Sequence, residues 1–243
     1  MDVPDWLRLV RDEGRLLAET ARGGLDVPVP TCPGWTVRDV VGHTGVVYAH
    51  KVAALETGRR PEPGSFPQDP DAADPVGWFL AQHERLLAAL AAREPGERVW
   101  TWYPPDETAR FWYRRMAHET AVHRVDVQGA FDDVTPVDGA LAVDGVDELL
   151  AVFVPADMPG ETVVGGSGQR VAVRTGDHAW RVTLHPVGVE LDHEAFPVDA
   201  SVSGEPSELY LYLWGRRPES AVQVDGDVEA LRALRSVLVA CTQ

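Results

Sequence analysis

One stretch of this chain restricts its fold more than any other. Residues from Thr108 to Phe131 include no proline and one late glycine, and helix-forming residues are frequent, so the stretch predicts a long helix. At about 100° per residue, Glu119 and His123 lie one turn apart within the apolar stripe of that helix. The stripe also contains Trp112, Met116, Val127 and Ala130, whereas Arg114, His118, Arg124 and Gln128 lie on the opposite half. We therefore expect Glu119 and His123 to face a core and His118 to face solvent.

An inward carboxylate and imidazole need a compensating partner. Burying an unpaired carboxylate costs several kcal/mol or forces its protonation, whereas a divalent cation compensates both groups at once. The spacing suits two ligands of one ion, because the rise between Glu119 and His123 is about 6 Å. The alternative is a Glu119–His123 pair, assisted by Arg115 four residues earlier, that only stabilises the helix. This helix alone leaves both interpretations open.

A candidate for a third ligand lies on a second predicted helix, from Thr36 to Leu55. Its start has the form of a capping box, Thr36 to Asp39, and His43 is central on the apolar face that follows. A single histidine on such a face is more often a hydrogen-bonded core residue than a ligand. Its coincidence with the inward pair Glu119 and His123 favours a shared metal ion.

Three further residues have open roles. His50 shares the face of His43 but lies about 10 Å further along the axis, so it is expected to line the pocket rather than bind the ion. Asp126, three residues after His123, either orients an imidazole or is an exposed helix charge. Cys32 is more consistent with a structural residue than with a nucleophile or a fourth ligand.

The N-terminal part of the chain is predicted to form a bundle of four antiparallel helices. The Pro- and Gly-rich stretch from Gly58 to Pro75 is too poor in apolar residues for a core, and is either a lid or a connector. A further helix is expected from Asp138 to Phe153, so the predicted domains are residues 1–153 and 154–243. The four bundle helices are expected at about Pro4–Ala21, Thr36–Leu55, Val76–Arg93 and Thr108–Phe131.

In the C-terminal part the apolar period changes from 3.6 to 2. The segments Arg170–Arg174 and Ala179–Leu184 flank the turn Thr175–His178 and predict a β-hairpin. This change of period predicts a smaller C-terminal α+β domain. Its other expected elements are strands at Ala200–Ser203 and Ala221–Val224 and helices at Glu208–Trp214 and Val228–Val239.

The charge of the chain limits its partners. With 22 Lys and Arg against 38 Asp and Glu the formal net charge is −16, which disfavours nucleic acid and requires local arginines for any anionic substrate. No apolar run approaches the roughly 20 residues of a membrane span, and the N-terminus has no signal-peptide pattern. We expect a cytoplasmic protein without membrane association, as a monomer or small homo-oligomer. Two cysteines suggest no disulfide framework.

Three motifs together resemble the mycothiol-dependent maleylpyruvate isomerase family: Thr31–His43, Met116–Asp126 and Leu213–Pro218. The resemblance implies an α+β two-domain protein with an N-terminal DinB-like four-helix bundle and a smaller C-terminal α+β domain. It implies Zn²⁺ or another divalent metal held by His43, Glu119 and His123, and mycothiol as thiol cosubstrate. It also makes Arg216 and Arg217 the candidates for binding charge on a small anionic electrophile.

These expectations define a leading function and two alternatives. The leading function is a metal-dependent enzyme in which the thiol of mycothiol isomerises a cis double bond of the maleylpyruvate type, or is transferred to a small electrophile. The first alternative is a metal-dependent hydrolase, for which the choice of general base among Asp126, His50 and His83 is unconvincing. The second is a non-enzymatic small-molecule-binding protein with a structural metal.

Overall fold

Four long helices form the N-terminal part of the protein, as expected: α1 (Val3–Ala21), α2 (Val37–Thr57), α3 (Pro75–Ala91) and α4 (Ala109–Gly129). The computed structural model describes residues 3–157, 161–193 and 197–242. The chain divides into two compact units, Met1–Thr135 and Pro136–Gln243. No helix within these described ranges combines the length and hydropathy needed to cross a bilayer.

The ends of α2 follow the sequence signals. The Asp39 carboxylate accepts a hydrogen bond from the Thr36 backbone N–H at 2.7 Å, which completes the predicted capping box. Gly58 terminates the helix in the left-handed conformation, with φ of 66°, where a side chain would be strained. These two ends fix the length and the start of the helix that carries His43.

The helices of the first unit are not all antiparallel. The α1 and α4 helices run in the same direction, because Trp6 contacts His118 and Glu13 pairs with Arg124 further along both helices. The α2 and α3 helices are also parallel. Trp78 near the start of α3 packs on α2, and Arg93, just after α3, donates to the Glu56 carbonyl near the end of α2 at 3.1 Å. The expectation of four mutually antiparallel helices is therefore wrong.

The parallel pair α2 and α3 explains the Pro- and Gly-rich stretch between them. Two consecutive parallel helices need a connection that returns along the length of the bundle, as in other bundles with crossover connections. Residues 58–74 form this return. Pro70 lies so close to α2 that a β-carbon added to Gly42 would be 3.0 Å from its Cγ. The stretch is a connector that packs against the helix carrying His43.

The face of α4 opposite Glu119 is buried, contrary to expectation. His118 has 0% and Arg124 1% of its surface exposed, because α1 covers this side. The Arg124 guanidinium is compensated there: Nε donates to Glu13 at 2.6 Å, and Nη1 donates to Gln128 at 2.8 Å. The spacing of apolar residues in α4 correctly predicted that Glu119 and His123 lie on an inward face. It could not show that a salt bridge lets a second, charged face be buried as well.

The second unit contains a mixed five-stranded sheet in the order β3-β2-β1-β4-β5. Strands β1 (Gln169–Thr175) and β2 (His178–Leu184) form the predicted hairpin, whose turn has Gly176 at a φ of 52°. Strand β4 lies parallel to β1, and the other pairings are antiparallel. The other strands are β3 (Val189–Asp192), which the sequence did not predict, β4 (Ala200–Ser203) and β5 (Gln223–Gly226), shifted from the expected Ala221–Val224.

The helices of the second unit begin before the expected domain boundary. Helix α5 (Gly139–Glu148), which continues as a π-helix over Leu149–Phe153, packs against α7 (Pro206–Leu213). The units therefore divide at Pro136, whereas the sequence placed this helix in a domain of residues 1–153. Amphipathic spacing shows that a helix has a buried face but not what covers it. The remaining helices are α6 (Val154–Asp157) and α8 (Val228–Thr242).

Close packing of α2 on α3 predicts a specific stability effect. A β-carbon added to Gly45 would overlap the Trp78 ring, so Gly45→Ala should lower the free energy of unfolding by about 1–2 kcal/mol despite the better helix propensity of alanine. Urea denaturation measures this. Gly96→Ala is the control, because nothing lies within 4 Å of its added β-carbon. A Gly45→Ala protein as stable as the wild type would contradict the packing.

Candidate metal centre

Three side chains converge between α2 and α4. One donor atom each from His43, Glu119 and His123 lies within 4.8 Å of the others. Glu119 Oε1 is 3.3 Å from His123 Nε2 and 3.7 Å from His43 Nε2. The structure thus brings together the three residues that the sequence selected from two separate helices. That they bind a metal stays a prediction.

The antiparallel crossing of α2 and α4 creates this convergence. His43 and His123 have ring centroids 5.1 Å apart, and Lys51, two turns later on α2, lies over the Trp112 ring, three turns earlier on α4. The two helices therefore form a seam along which polar residues of both meet. Because α2 starts at a fixed capping box, His43 is held in the second turn beside the C-terminal half of α4.

Asp126 orients the imidazole of His123. Its fully buried carboxylate accepts from His123 Nδ1 at 3.0 Å and from the Thr31 hydroxyl at 2.6 Å. With Nδ1 engaged in this way, Nε2 of His123 points toward Glu119. Of the two roles left open for Asp126, the exposed helix charge is excluded and the orienting contact is present.

Arg115 binds one oxygen of Glu119. Its Nη2 donates to Glu119 Oε2 at 2.8 Å, while Oε1 faces the two imidazoles. The contact expected for a helix-stabilising pair therefore exists, yet it leaves the second oxygen directed at the cluster. Arg115 is itself 3% exposed, so it also balances the buried carboxylate charge.

The protonation of the cluster follows from these contacts. Burial acts to raise the pKa of Glu119, but hydrogen bonds to His123 and His43 outweigh it and hold that pKa well below its usual value. Burial acts to lower the pKa of His123, but hydrogen bonds to Asp126 and Glu119 raise it to about 9. Without a metal, the cluster is thus a carboxylate beside a protonated imidazole, and a cation would replace that proton.

The cluster is accessible from the side of His43. The side chain of His43 is 41% exposed, against 17% for Glu119 and 12% for His123. His43 lines a cavity of about 630 Å³, and the Trp35 ring in the same cavity lies 5.1 Å from its imidazole. Gln68 and Pro70 of the crossover connection form a wall of the same cavity. Gly42 leaves room for that wall, which gives the small residues beside His43 a packing role.

A second group of side chains lies further along the seam, around His50. Its ring contacts those of Phe66 and Trp100, at 4.9 and 5.8 Å between centroids, and its Nδ1 accepts from Lys51 Nζ at 3.1 Å. His50 is not among the residues lining the cavity at His43. Lys51 is the residue that sequence reasoning missed here; its signal was that the chain contains no other lysine.

The remaining candidates lie outside the cluster. Cys32 is not a member of the group of convergent donors. Arg216 and Arg217 belong to the second unit, where Arg216 donates to the Trp214 carbonyl at 2.7 Å and Arg217 donates to Glu208 at 3.0 Å. Their role in binding substrate stays a prediction.

Comparisons with known proteins cover nearly the whole chain. Residues 6–128 match the family described as mycothiol maleylpyruvate isomerase N-terminal domain, and residues 140–233 match the C-terminal domain of the same family. Two crystal structures of mycothiol-dependent maleylpyruvate isomerase are similar in fold, one of a mutant with a TM-score of 0.63 and one with 0.54. Each is 14% identical over 94% of this chain and 95% of the other. No curated protein matches the sequence.

Proposed function

The chain belongs to the mycothiol maleylpyruvate isomerase family, and from this premise we propose that it is an enzyme in which the thiol of mycothiol attacks a small anionic electrophile. One observation carries the proposal: one donor atom each of His43, Glu119 and His123 lies within 4.8 Å of the others, and His43 lines a cavity. A site of this kind suits an external reactant.

The donor set fits a divalent cation, with zinc as the expected metal. Two imidazole nitrogens and one carboxylate oxygen are typical of catalytic rather than structural zinc sites. Asp126 occupies the other nitrogen of His123 and Arg115 the other oxygen of Glu119, so these two ligands are held with their remaining atoms toward the cluster. When bound, the cation would leave a coordination position for a thiol and lower the pKa of that thiol.

The nucleophile in this proposal comes from outside the chain. Cys32 does not belong to the cluster, so the protein offers no thiol of its own there. The exposed edge of His43 and the adjoining cavity provide a route by which a small thiol can reach the cluster from solvent. Trp35 beside His43 supplies an apolar surface along this route.

Within this proposal, the specific reaction we propose is cis–trans isomerisation. The thiolate forms a C–S bond to one carbon of a cis double bond, and the electron pair moves onto the conjugated carbonyl oxygen as an enolate. Rotation about the new single bond and cleavage of the C–S bond return the thiolate and the trans product, so no atoms are gained or lost. If the electrophile carries a leaving group instead, the same attack gives transfer. Arg216 and Arg217 are our candidates for binding the enolate charge.

Hydrolysis has less support from the contacts. It requires a general base beside the cluster. Both Asp126 oxygens accept hydrogen bonds, and His50 accepts from Lys51. His83 is buried and bonded to the Val10 carbonyl at 2.9 Å. The three candidates that the sequence offered for a hydrolytic base are therefore engaged elsewhere.

The metal proposal is tested by removing single ligands. His43→Ala and His123→Ala should each reduce bound zinc from about one ion per chain to almost none, because two donors rarely retain zinc. Equilibrium dialysis followed by metal analysis measures this. His185→Ala, in the second unit, is the control and should keep the ion. Stoichiometric zinc in either ligand variant would refute the assigned donor set.

The orienting role of Asp126 gives a graded prediction. Asp126→Asn should weaken zinc affinity about 10- to 100-fold without abolishing it, because the amide holds the His123 imidazole less well. Competition with a zinc chelator measures the affinity. Asp12→Asn, on the exposed face of α1, should leave it unchanged. Equal affinities in the two variants would show that Asp126 does not act on the metal through His123.

The thiol proposal has a direct spectroscopic test. On addition of mycothiol to the zinc-loaded protein, zinc K-edge X-ray absorption should gain a sulfur neighbour at about 2.3 Å. The thiol-saturated protein should then convert maleylpyruvate to its trans isomer. An unchanged shell of nitrogen and oxygen ligands around zinc would argue against thiol activation. Hydrolysis of the substrate in the absence of any thiol would favour the hydrolase.

A further inference from the structure

Lys51 is a half-buried cation without an acidic partner. It is the single lysine in the sequence and lies on α2, eight residues after His43. Its Nζ donates to His50 Nδ1 at 3.1 Å and lies 4.8 Å from the centre of the Trp112 ring. Among the residues that the structure describes, no carboxylate lies within ion-pair distance of this ammonium.

The contacts of Lys51 do not cancel its charge. Burial, together with the charges of Lys51 and Arg60, lowers the pKa of His50 to about 4, so the imidazole is neutral near pH 7. Burial lowers the pKa of Lys51 to about 8, opposed by Glu119 and assisted by Arg115, so the amine is still largely protonated near pH 7. The Trp112 face attracts a cation but carries no negative charge. An anionic ligand would supply the missing counter-charge.

The position of Lys51 connects it to the cluster. Eight residues of helix separate its Cα from that of His43 by about 12 Å along the axis. The Lys51 ammonium contacts His50, which lies one residue nearer to His43 on the same helix. The charge of Glu119 acts on Lys51 through the same seam. Lys51 and the cluster therefore lie along one seam between α2 and α4.

Several arginines lie near His50, the neighbour of Lys51, in a chain of formal charge −16. Arg59, Arg60 and Arg98 line a cavity of about 440 Å³ together with Glu107, which pairs with Arg98, and with Trp100, whose ring contacts that of His50. Arg59 and Arg60 have no acidic partner in the described part of the chain. An anion repelled by the protein as a whole would find here a region of favourable potential.

We propose that Lys51 binds a carboxylate of the small molecule whose reactive end lies at His43, Glu119 and His123. The inference rests on the proposed function and makes its substrate class narrower. The ligand is an acid whose carboxylate lies several bonds away from the reacting atom, so that one end reaches Lys51 while the other occupies the cluster. Lys51 is then a specificity-determining residue, and Trp112 holds its ammonium in place.

The test compares a thiol acid with its neutral ester. The probes are 5-mercaptopentanoate and its methyl ester, titrated calorimetrically into zinc-loaded full-length protein near pH 7. The wild type should bind the acid about tenfold more tightly than the ester, as one charge-assisted hydrogen bond would give. Lys51→Met keeps the apolar stem against Trp112 and should bind both probes equally, at the affinity of the ester. Lys51→Arg should retain most of the preference for the acid.

Controls separate this effect from general charge and from misfolding. Arg110→Met removes an exposed positive charge from the first turn of α4 and should leave the preference intact. Circular dichroism checks the fold, and Lys51→Gln replaces Lys51→Met if the latter does not fold.

The two probes decide the two proposals separately. An acid that does not bind, or whose preference over the ester survives in Lys51→Met, overturns the role of Lys51. An ester that does not bind the zinc-loaded wild type overturns metal–thiol chemistry at the cluster, whatever the acid does. Binding of the acid that depends on Lys51 supports a carboxylate site at Lys51, whether or not the ester binds.

Discussion

The site depends on the interactions of the Glu119 carboxylate, which is largely buried. A carboxylate at this depth needs compensation, and its two oxygens obtain it in different ways. Arg115 binds Oε2 from the preceding turn of the same helix, whereas Oε1 faces imidazoles from two helices. This division fixes one oxygen by an ion pair and directs the other at the two imidazoles. The proposed metal centre follows from that arrangement.

The direction of the helices decides which residues reach Glu119. A bundle of consecutive antiparallel neighbours would make α2 and α4 parallel, and His43 and Lys51 would then meet α4 in the opposite order. The return of the chain through residues 58–74 makes α2 parallel to α3 and antiparallel to α4. The same segment covers Gly42 and walls the cavity at His43. A stretch with little apolar content thus shapes both the topology and the access to the site.

Family membership and geometry support the proposed function from independent directions. The family comparisons assign both parts of the chain to mycothiol maleylpyruvate isomerase domains, while sequence identity to the structures of similar fold is 14%. The structure adds the side-chain contacts of the site, which a similarity at 14% identity does not give. These contacts show that Asp126 binds one nitrogen of His123 and that Arg115 binds one oxygen of Glu119. They also show a lysine in the same seam that has no carboxylate within ion-pair distance among the described residues.

The sequence by itself determined the helices, the hairpin and the inward side of Glu119 and His123, because these depend on local spacing and capping. It also selected His43, since a polar residue within an apolar stripe stands out in any context. The direction of each helix, the burial of His118 and Arg124, the packing of α5 with α7 and the position of Lys51 were decided by tertiary structure alone. These features depend on which surfaces meet across long sequence separations, and residue spacing within one element carries no information about the element that covers it.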